Sequence, residues 1–349
     1  MNILSNRLAK AIENPTTRIV KASSTFHPSA ASVETIDSRG FKKVTGACLR
    51  QQYYRITESK ISNPSNPDYE LAAMLGDKLH QLMDELLITH GFAMGLQRIN
   101  AEYPIYDADT NISLRTDSLT WDHRNNECIG LEFKSVAEYK ANQAMERPVE
   151  EHVMQVVIYL ALYKKHIPVK MHKPVKWYIW YISRTENWSI KAKKHGSPLA
   201  ACWDFYVTLD DEGCPIIHTP SSIERWPHLS IHKILERYAR LKDFLAMKEL
   251  PPRDYDLNYS EAKLYGMYLN KELTRKADIE KVEKWEKKGC KEGGLNIVLG
   301  DAECNFCSWK DHCWGLEGQL REVERFNLPE LIDSSSSSKG PIVPHLDII

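Results

Sequence analysis

Apolar residues recur at helical spacing between Asn66 and His90, where Leu71, Leu75, Leu79, Leu82 and Leu86 trace one stripe. Asn66 suits a helix cap, Pro67 the first helical position and Gly91 the exit, so a long helix is predicted with those leucines buried. Two strand-like runs follow, Ala101 to Tyr106 and Ile112 to Thr120, separated by the turn-rich Asp107-Ala108-Asp109-Thr110-Asn111. A third runs from Cys128 to Val136. Val149 to Lys165 is apolar nearly all round, as a buried helix would be. Lys176 to Ser183 sets Trp177, Ile179 and Tyr181 on one face and Tyr178, Trp180 and Ile182 on the other, the pattern of a strand covered on both sides.

The predicted order is therefore helix, three strands, helix, strand, which defines a mixed α/β core. Further along, a strand is expected at Trp203 to Thr208, a helix at Ser230 to Lys248 and a charged helical stretch at Ser260 to Lys288. The polar, mixed residues 1–44 read as an irregular arm, 45–200 as the core and 201–328 as a helical extension. Residues 329–349, with five serines at Ser334 to Ser338, read as a disordered tail. The apolar tip of that tail offers a docking peptide for a protein partner, against the simpler reading of an idle end.

Composition narrows the class. A chain of 349 residues with 42% apolar content can bury a sizeable core. It has no run of the roughly eighteen apolar residues a membrane span needs, and Met1 to Lys10 lacks a secretory signal, so a location in the reducing compartment of synthesis is expected. Eight cysteines are too sparse for a disulfide scaffold, and three of them crowd between Cys304 and Cys313. The net charge of −1 restricts nucleic-acid binding to local patches. One such patch is the stretch from Tyr163 to His195, with nine lysines and arginines against the single acid Glu186, or +8. Arg184, Lys191, Lys193 and Lys194 are its candidate DNA contacts, and Gln51, Tyr54 and Arg55 are candidates for the same channel.

Candidate chemistry centres on Gly130-Leu131-Glu132-Phe133-Lys134-Ser135, one strand after Arg115-Thr116-Asp117. Residues two apart on a strand share a face, so Glu132 and Lys134 point together and Phe133 points away. A neighbouring strand ending at Asp117 brings a second carboxylate near. Two close carboxylates repel unless a cation lies between them, and Mg²⁺ or Mn²⁺ suits such oxygen ligands. Gln155 and Tyr159 share one face of an otherwise apolar helix and need partners, which local backbone or a site could supply. His80, beside Ala73, Gly76, Met83 and Leu87, reads on the residues alone as a satisfied core histidine.

Taken in order, a helix His, a strand Asp, a strand Glu-x-Lys and a Gln-x3-Tyr helix resemble the PD-(D/E)XK nucleases. The resemblance is to their RecB-like branch, with the CRISPR-associated iron-sulfur exonucleases and the AddB nuclease domain, and covers Thr45 to Trp314. It implies a restriction-endonuclease-like mixed sheet core flanked by helices. It also implies that His80, Asp117 and Glu132 bind Mg²⁺ or Mn²⁺, that Lys134 activates the nucleophile, and that Gln155 and Tyr159 orient substrate or ligands. The implied activity is exonucleolytic hydrolysis of single-stranded DNA or of DNA with free ends. One departure is Leu114, where the family usually carries glycine.

Cys304, Cys307 and Cys313 form a Cys-x2-Cys-x5-Cys run, and three thiols within ten residues point to a metal. The residues leave the fourth ligand open, with His312 available to a zinc ion. The resemblance implies a structural [4Fe-4S] cluster completed by Cys48, with Phe306, Trp309 and Trp314 shielding it. Cys128, Cys202, Cys214 and Cys290 read as ordinary residues. Other functions fit the same residues: a structure-specific endonuclease, a processing subunit of a larger complex, or a non-catalytic zinc-containing nucleic-acid-binding protein. No phosphate-loop motif occurs, so no fused helicase motor is expected.

Overall fold

The computed structural model describes residues 25–36, 42–63, 67–101, 103–167, 173–184 and 202–316. The chain forms a mixed α/β fold whose sheet is flanked by helices. Two strands come first, β1 (Ser32–Ile36) and β2 (Lys42–Gly46), paired antiparallel. Residues 32–36 and 42–46 thus form a regular ladder where an irregular arm was expected. Val33 is fully buried in the main core, which accounts for the order.

Helix α1 (Leu49–Ile56) and the long α2 (Pro67–Met94) follow. Next come β3 (Leu96–Ala101), the hairpin β4 (Pro104–Asp107) and β5 (Ile112–Arg115), then β6 (Ser118–Asp122) and β7 (Glu127–Val136). The two strand runs expected at 101–106 and 112–120 are therefore each split. The chain breaks at Thr116-Asp117, where β5 leaves the small hairpin and β6 enters the main sheet.

Seven strands make that sheet, in the order β11-β10-β9-β8-β7-β6-β3. Its added members are β8 (Lys176–Ser183), β9 (Cys202–Leu209), β10 (Pro215–His218) and β11 (Ile223–Arg225). The expected strand at Trp203 to Thr208 is β9, and β10 and β11 extend the sheet beyond it. Only β7 and β8 run parallel among its neighbours. A parallel pair needs a crossover, and helices α3 (Glu138–Glu146) and α4 (Glu150–His166) provide it.

Helix α4 explains its own composition. It lies on β8 and β9 with one side and meets β2, β4 and helix α5 (Ile231–Met247) with the other, so Val153, Met154, Val156, Val157 and Ile158 are all fully buried. Each such side chain contributes about 1.5–3 kcal/mol of burial. Trp177, Ile179 and Tyr181 form the sheet's contribution beneath it. Gly130 makes room for this layer: a Cβ there would stand 2.0 Å from the Trp177 ring.

Helix α2 covers the opposite face over β7 and β3, but of the expected leucine stripe only Leu79 packs there, half-buried. Met83 and Leu87 are the buried residues, packed with Phe133, Leu131 and Ile129, while Leu71, Leu75, Leu82 and Leu86 are exposed among the described residues. The physical reason lies at Gly76, where a Cβ would come to 3.2 Å from the Ser135 hydroxyl. The small-residue face approaches the strand closely, which rotates the leucine stripe away.

The charged stretch at 260–288 is two helices, α6 (Glu261–Leu269), capped by the Ser260 hydroxyl, and α7 (Lys276–Lys287). They enclose a satellite core of Leu264, Leu273, Val282, Trp285, Leu295 and Ile297. Two short helices, α8 (Ala302–Asn305) and α9 (Lys310–Trp314), follow. No helix among the described residues is long and apolar enough to cross a membrane. The expected tail at 329–349 lies outside the described residues.

Candidate active site

The β6–β7 ladder ends with Ser118 opposite Leu131, and one further step of that register sets Asp117 opposite Glu132. Asp117 leaves the strand there, and its Oδ2 accepts a hydrogen bond from the Phe133 amide at 2.6 Å. The neighbouring Thr116 is buried, and its hydroxyl donates to the Leu131 carbonyl at 3.3 Å, fixing the turn. Phe133 turns to the other face and receives the His80 ring edge-on, at 6.1 Å between centroids. His80 Nδ1 lies 3.7 Å from Asp117 Oδ1. Burial lowers the proton affinity of His80, with Glu132 opposing that trend and Lys134 reinforcing it, which favours the neutral imidazole.

Glu132 is only 3% exposed. Its Oε1 accepts from Lys134 Nζ at 2.8 Å and from Gln155 Nε2 at 2.7 Å. Its Oε2 is buried with no hydrogen-bond partner among the described residues. A buried carboxylate oxygen without a partner costs several kcal/mol of lost solvation, and a cation is the partner that would recover it. Gln155 also accepts from Lys134 at 2.8 Å and donates to the Tyr159 hydroxyl at 2.6 Å. Tyr159 in turn donates to the Arg115 carbonyl at 3.1 Å, and burial raises its pKa well above the usual phenol value.

Glu132 and Lys134 of β7 and Gln155 and Tyr159 of α4 are thus linked by direct hydrogen bonds, and Asp117 of the β5–β6 turn lies near His80 of α2, while the ligand atoms of His80, Asp117 and Glu132 are not all within 4.8 Å of one another. The donor set, two carboxylates with a neutral imidazole, fits Mg²⁺ or Mn²⁺. Leu114 is buried in the main core, so its bulk points inward.

The second cluster forms around α1. Cys48 is the residue before the helix, and the Leu49 amide of its first turn donates to Asp254 Oδ2 at 2.8 Å. The same Asp254 oxygen pairs with Arg237 at 2.6 Å. Cys48, Cys304, Cys307 and Cys313 line one cavity, which Arg50, Tyr54, Tyr255 and Trp314 also border. The Cys304–Cys313 segment is held there by several bonds: Ser62 and Asn63 amides to the Ser308 carbonyl, Trp309 Nε1 to Ser59 O at 2.9 Å, and Arg253 to Cys313 O at 2.7 Å. Burial pushes the Cys48 thiol up and the Cys304 thiol up to about 12, so these sulfurs ionise only beside added positive charge.

The sulfurs are spread out. Among the described residues, the group with ligand atoms all within 4.8 Å of one another is Asp210, Glu212 and Cys214, not any three of these cysteines. A tetrahedral zinc with bonds of about 2.3 Å would hold its sulfurs about 3.8 Å apart. The Asp210 group already has its cation, since Arg225 contacts Asp210 at 2.6 Å, Glu212 at 2.5 Å and the Cys214 sulfur at 3.3 Å.

Other expectations fare differently. Phe306 is 63% exposed, whereas Trp309 is buried against Tyr54. Gln51 and Tyr54 border the cysteine cavity. Arg184 donates to the Ala72 carbonyl at 3.0 Å and so ties β8 to α2. Lys165 pairs with Asp107 and Asp109, and Lys176 with Glu127, so these cations of the basic stretch serve the fold. Lys191, Lys193 and Lys194 lie outside the described residues. Asp254 had no local signal, because its role arises from a partner 205 positions away in the sequence. No protein-family model and no curated protein matches the chain.

Proposed function

We propose that this protein is a metal-dependent deoxyribonuclease of the PD-(D/E)XK type, with a restriction-endonuclease-like core and a C-terminal iron-sulfur cap. The observation that carries the reading is the buried Glu132 carboxylate, with one oxygen held by Lys134 and Gln155 and the other left without a hydrogen-bond partner among the described residues, on a strand position one register step from Asp117. Glu132, Asp117 and His80 would hold Mg²⁺ or Mn²⁺. When bound, that ion supplies Lewis acidity and an activated water for phosphodiester hydrolysis.

The protein's own groups do the remaining work. Lys134 places an ammonium where a nucleophilic oxygen or the developing charge on phosphate needs one. Gln155 keeps the Lys134 and Glu132 head groups in register, and Tyr159 anchors Gln155 to the β5 backbone. His80, half-buried and held toward its neutral form, would offer a ring nitrogen as a ligand.

Cys48, Cys304, Cys307 and Cys313 would hold a [4Fe-4S] cluster. Their shared cavity supports one bound group common to all four. The substrate is DNA, single-stranded or with free ends.

The test is cleavage of linear and circular single-stranded DNA with Mg²⁺ or Mn²⁺, comparing wild type with Glu132→Ala and Lys134→Ala. Wild type should degrade linear strands and spare circles, and both variants should lose at least about a hundredfold in rate while keeping fold and iron. Equal cutting by all three proteins would refute the assignment.

A further inference from the structure

The cavity shared by the four cysteines carries an excess of positive charge. Arg50, Arg253 and Lys310 line it, against the carboxylate of Glu303. Arg50 reaches a sulfur directly, its Nη1 donating to Cys313 Sγ at 3.8 Å. Its Nε donates to the carbonyl of the buried Pro251 at 2.7 Å, so the guanidinium is fixed from two sides. Arg253 takes the Cys313 carbonyl instead of the sulfur and lies over the Trp314 ring at 4.2 Å. The Cys307 sulfur has a donor too, the Trp309 amide at 3.4 Å. Asp254 and Asp301, the acids whose charge bears on Cys48 and Cys304, are already held, by Arg237 at 2.6 Å and by the Asp256 amide at 2.7 Å.

Nothing in the helix itself calls for this arginine. Arg50 stands in the first turn of α1, where the free backbone amides already present positive charge and a cation is unfavourable. A neutral thiol would not call for it either, because a protonated cysteine packs as a small apolar group. Thiolates on an iron-sulfur cluster differ. They share the negative charge of the cluster, that charge grows on reduction, and N–H donors at sulfur favour the more negative state.

We propose that Arg50 sets the reduction potential of the group bound by Cys48, Cys304, Cys307 and Cys313, holding it within reach of one-electron reduction. The inference rests on the iron-sulfur reading and extends it, making the site a redox-active centre as well as a tie between distant parts of the chain. Arg50 is a positioning residue: it acts through the Cys313 sulfur and ligates no iron.

The experiment is a potentiometric titration of the full chain after anaerobic purification, with dithionite as the reductant and electron paramagnetic resonance reading the reduced state. Wild type should contain iron and be reduced. Arg50→Gln, which loses the charge, should keep its iron and lower the midpoint by about 59 mV, a tenfold loss in a one-electron equilibrium. Arg50→Lys keeps the charge but gives up the Pro251 bond, and should recover most of that loss. A merely structural role would move neither midpoint. Lys284→Gln, an exposed charge on α7, should leave the potential at the wild-type value. An Arg50→Gln protein that loses its iron, or whose midpoint matches wild type, overturns the proposal and leaves the iron-sulfur reading standing. So does a wild type that holds iron but resists dithionite. Wild type that carries zinc, or no metal, sinks the iron-sulfur reading and the proposal with it.

Discussion

A glutamine at position 155 does what neither alanine nor glutamate could: its carbonyl oxygen accepts from Lys134 while its amide donates to both Glu132 and Tyr159. Replacing it with glutamate removes the donor and sets a third carboxylate against Glu132. Gln155→Glu is expected to cut at least about a hundredfold more slowly and Gln155→Ala about tenfold more slowly, with the half-saturating Mn²⁺ concentration raised in both. A cleavage rate followed across a Mn²⁺ series reads this directly, and a merely structural role would leave the metal dependence unmoved. Asp107 offers a second test at this scale. Burial alone would raise its carboxyl pKa, but hydrogen bonds from Lys165, Thr110 and His166 outweigh that and hold it far below the usual carboxylate range. A depressed folded pKa gives stability that is complete above the unfolded value, near 4, and is lost as pH falls toward the folded one. Urea midpoints should therefore fall from pH 5 to pH 3 in wild type, and fall less steeply over that window in Asp107→Asn.

Among the elements, the parallel pair β7–β8 governs the packing of the site. Gly130 faces Trp177 across it, and Trp177 packs on Tyr159 at 5.1 Å between ring centroids. Gly130→Ala should force that ring away and destabilise the fold by about 3 kcal/mol, read as a lower urea midpoint. The displaced ring should also disturb Tyr159, so cleavage should fall as well. Much at this scale was legible beforehand. The two-faced aromatic pattern of 176–183 and the all-round apolarity of 149–165 both reflect burial on every side, which composition reports faithfully. Glu132, Lys134, Gln155 and Tyr159 were also legible, because strand and helix periods fix which side chains share a face. Less legible was the side of α2 that packs. Five leucines outweigh Gly76, Met83 and Leu87 in any hydrophobic count, yet close approach at Gly76 decides the rotation. The β1–β2 ladder was hidden because its sequence, Ser32–Ile36 and Lys42–Gly46, is polar enough to read as loop. The bridge from Phe26 to β5 is a contact no local pattern announces.

Across the whole molecule, residues near the beginning and the end of the described chain meet at the cysteine cavity. Cys48 and Cys304 are 256 positions apart in the sequence, so a group bound by both removes freedom that the unfolded chain would otherwise have. Cys48→Ser and Cys313→Ser should each lose bound iron, measured against protein after anaerobic purification, and should each lower stability by about 3–5 kcal/mol by the loop-closure argument. Asp254 connects this region to the core, binding both the start of α1 and the buried Arg237. Asp254→Ala should cost about 2–3 kcal/mol, because it takes one of two carboxylate partners from the buried Arg237, leaving Glu34, and releases the helix that begins after Cys48. Thermal unfolding of that variant should show loss of iron at or before loss of helix.

Everything about the active centre depends on whether Glu132, Asp117 and His80 share a divalent ion. Calorimetric titration of the purified protein with Mn²⁺ measures this most directly. The account predicts a saturable site in wild type that is weakened at least about tenfold in Glu132→Gln, with the circular dichroism of the two proteins superimposable. Unchanged Mn²⁺ affinity in a well-folded Glu132→Gln protein would contradict it.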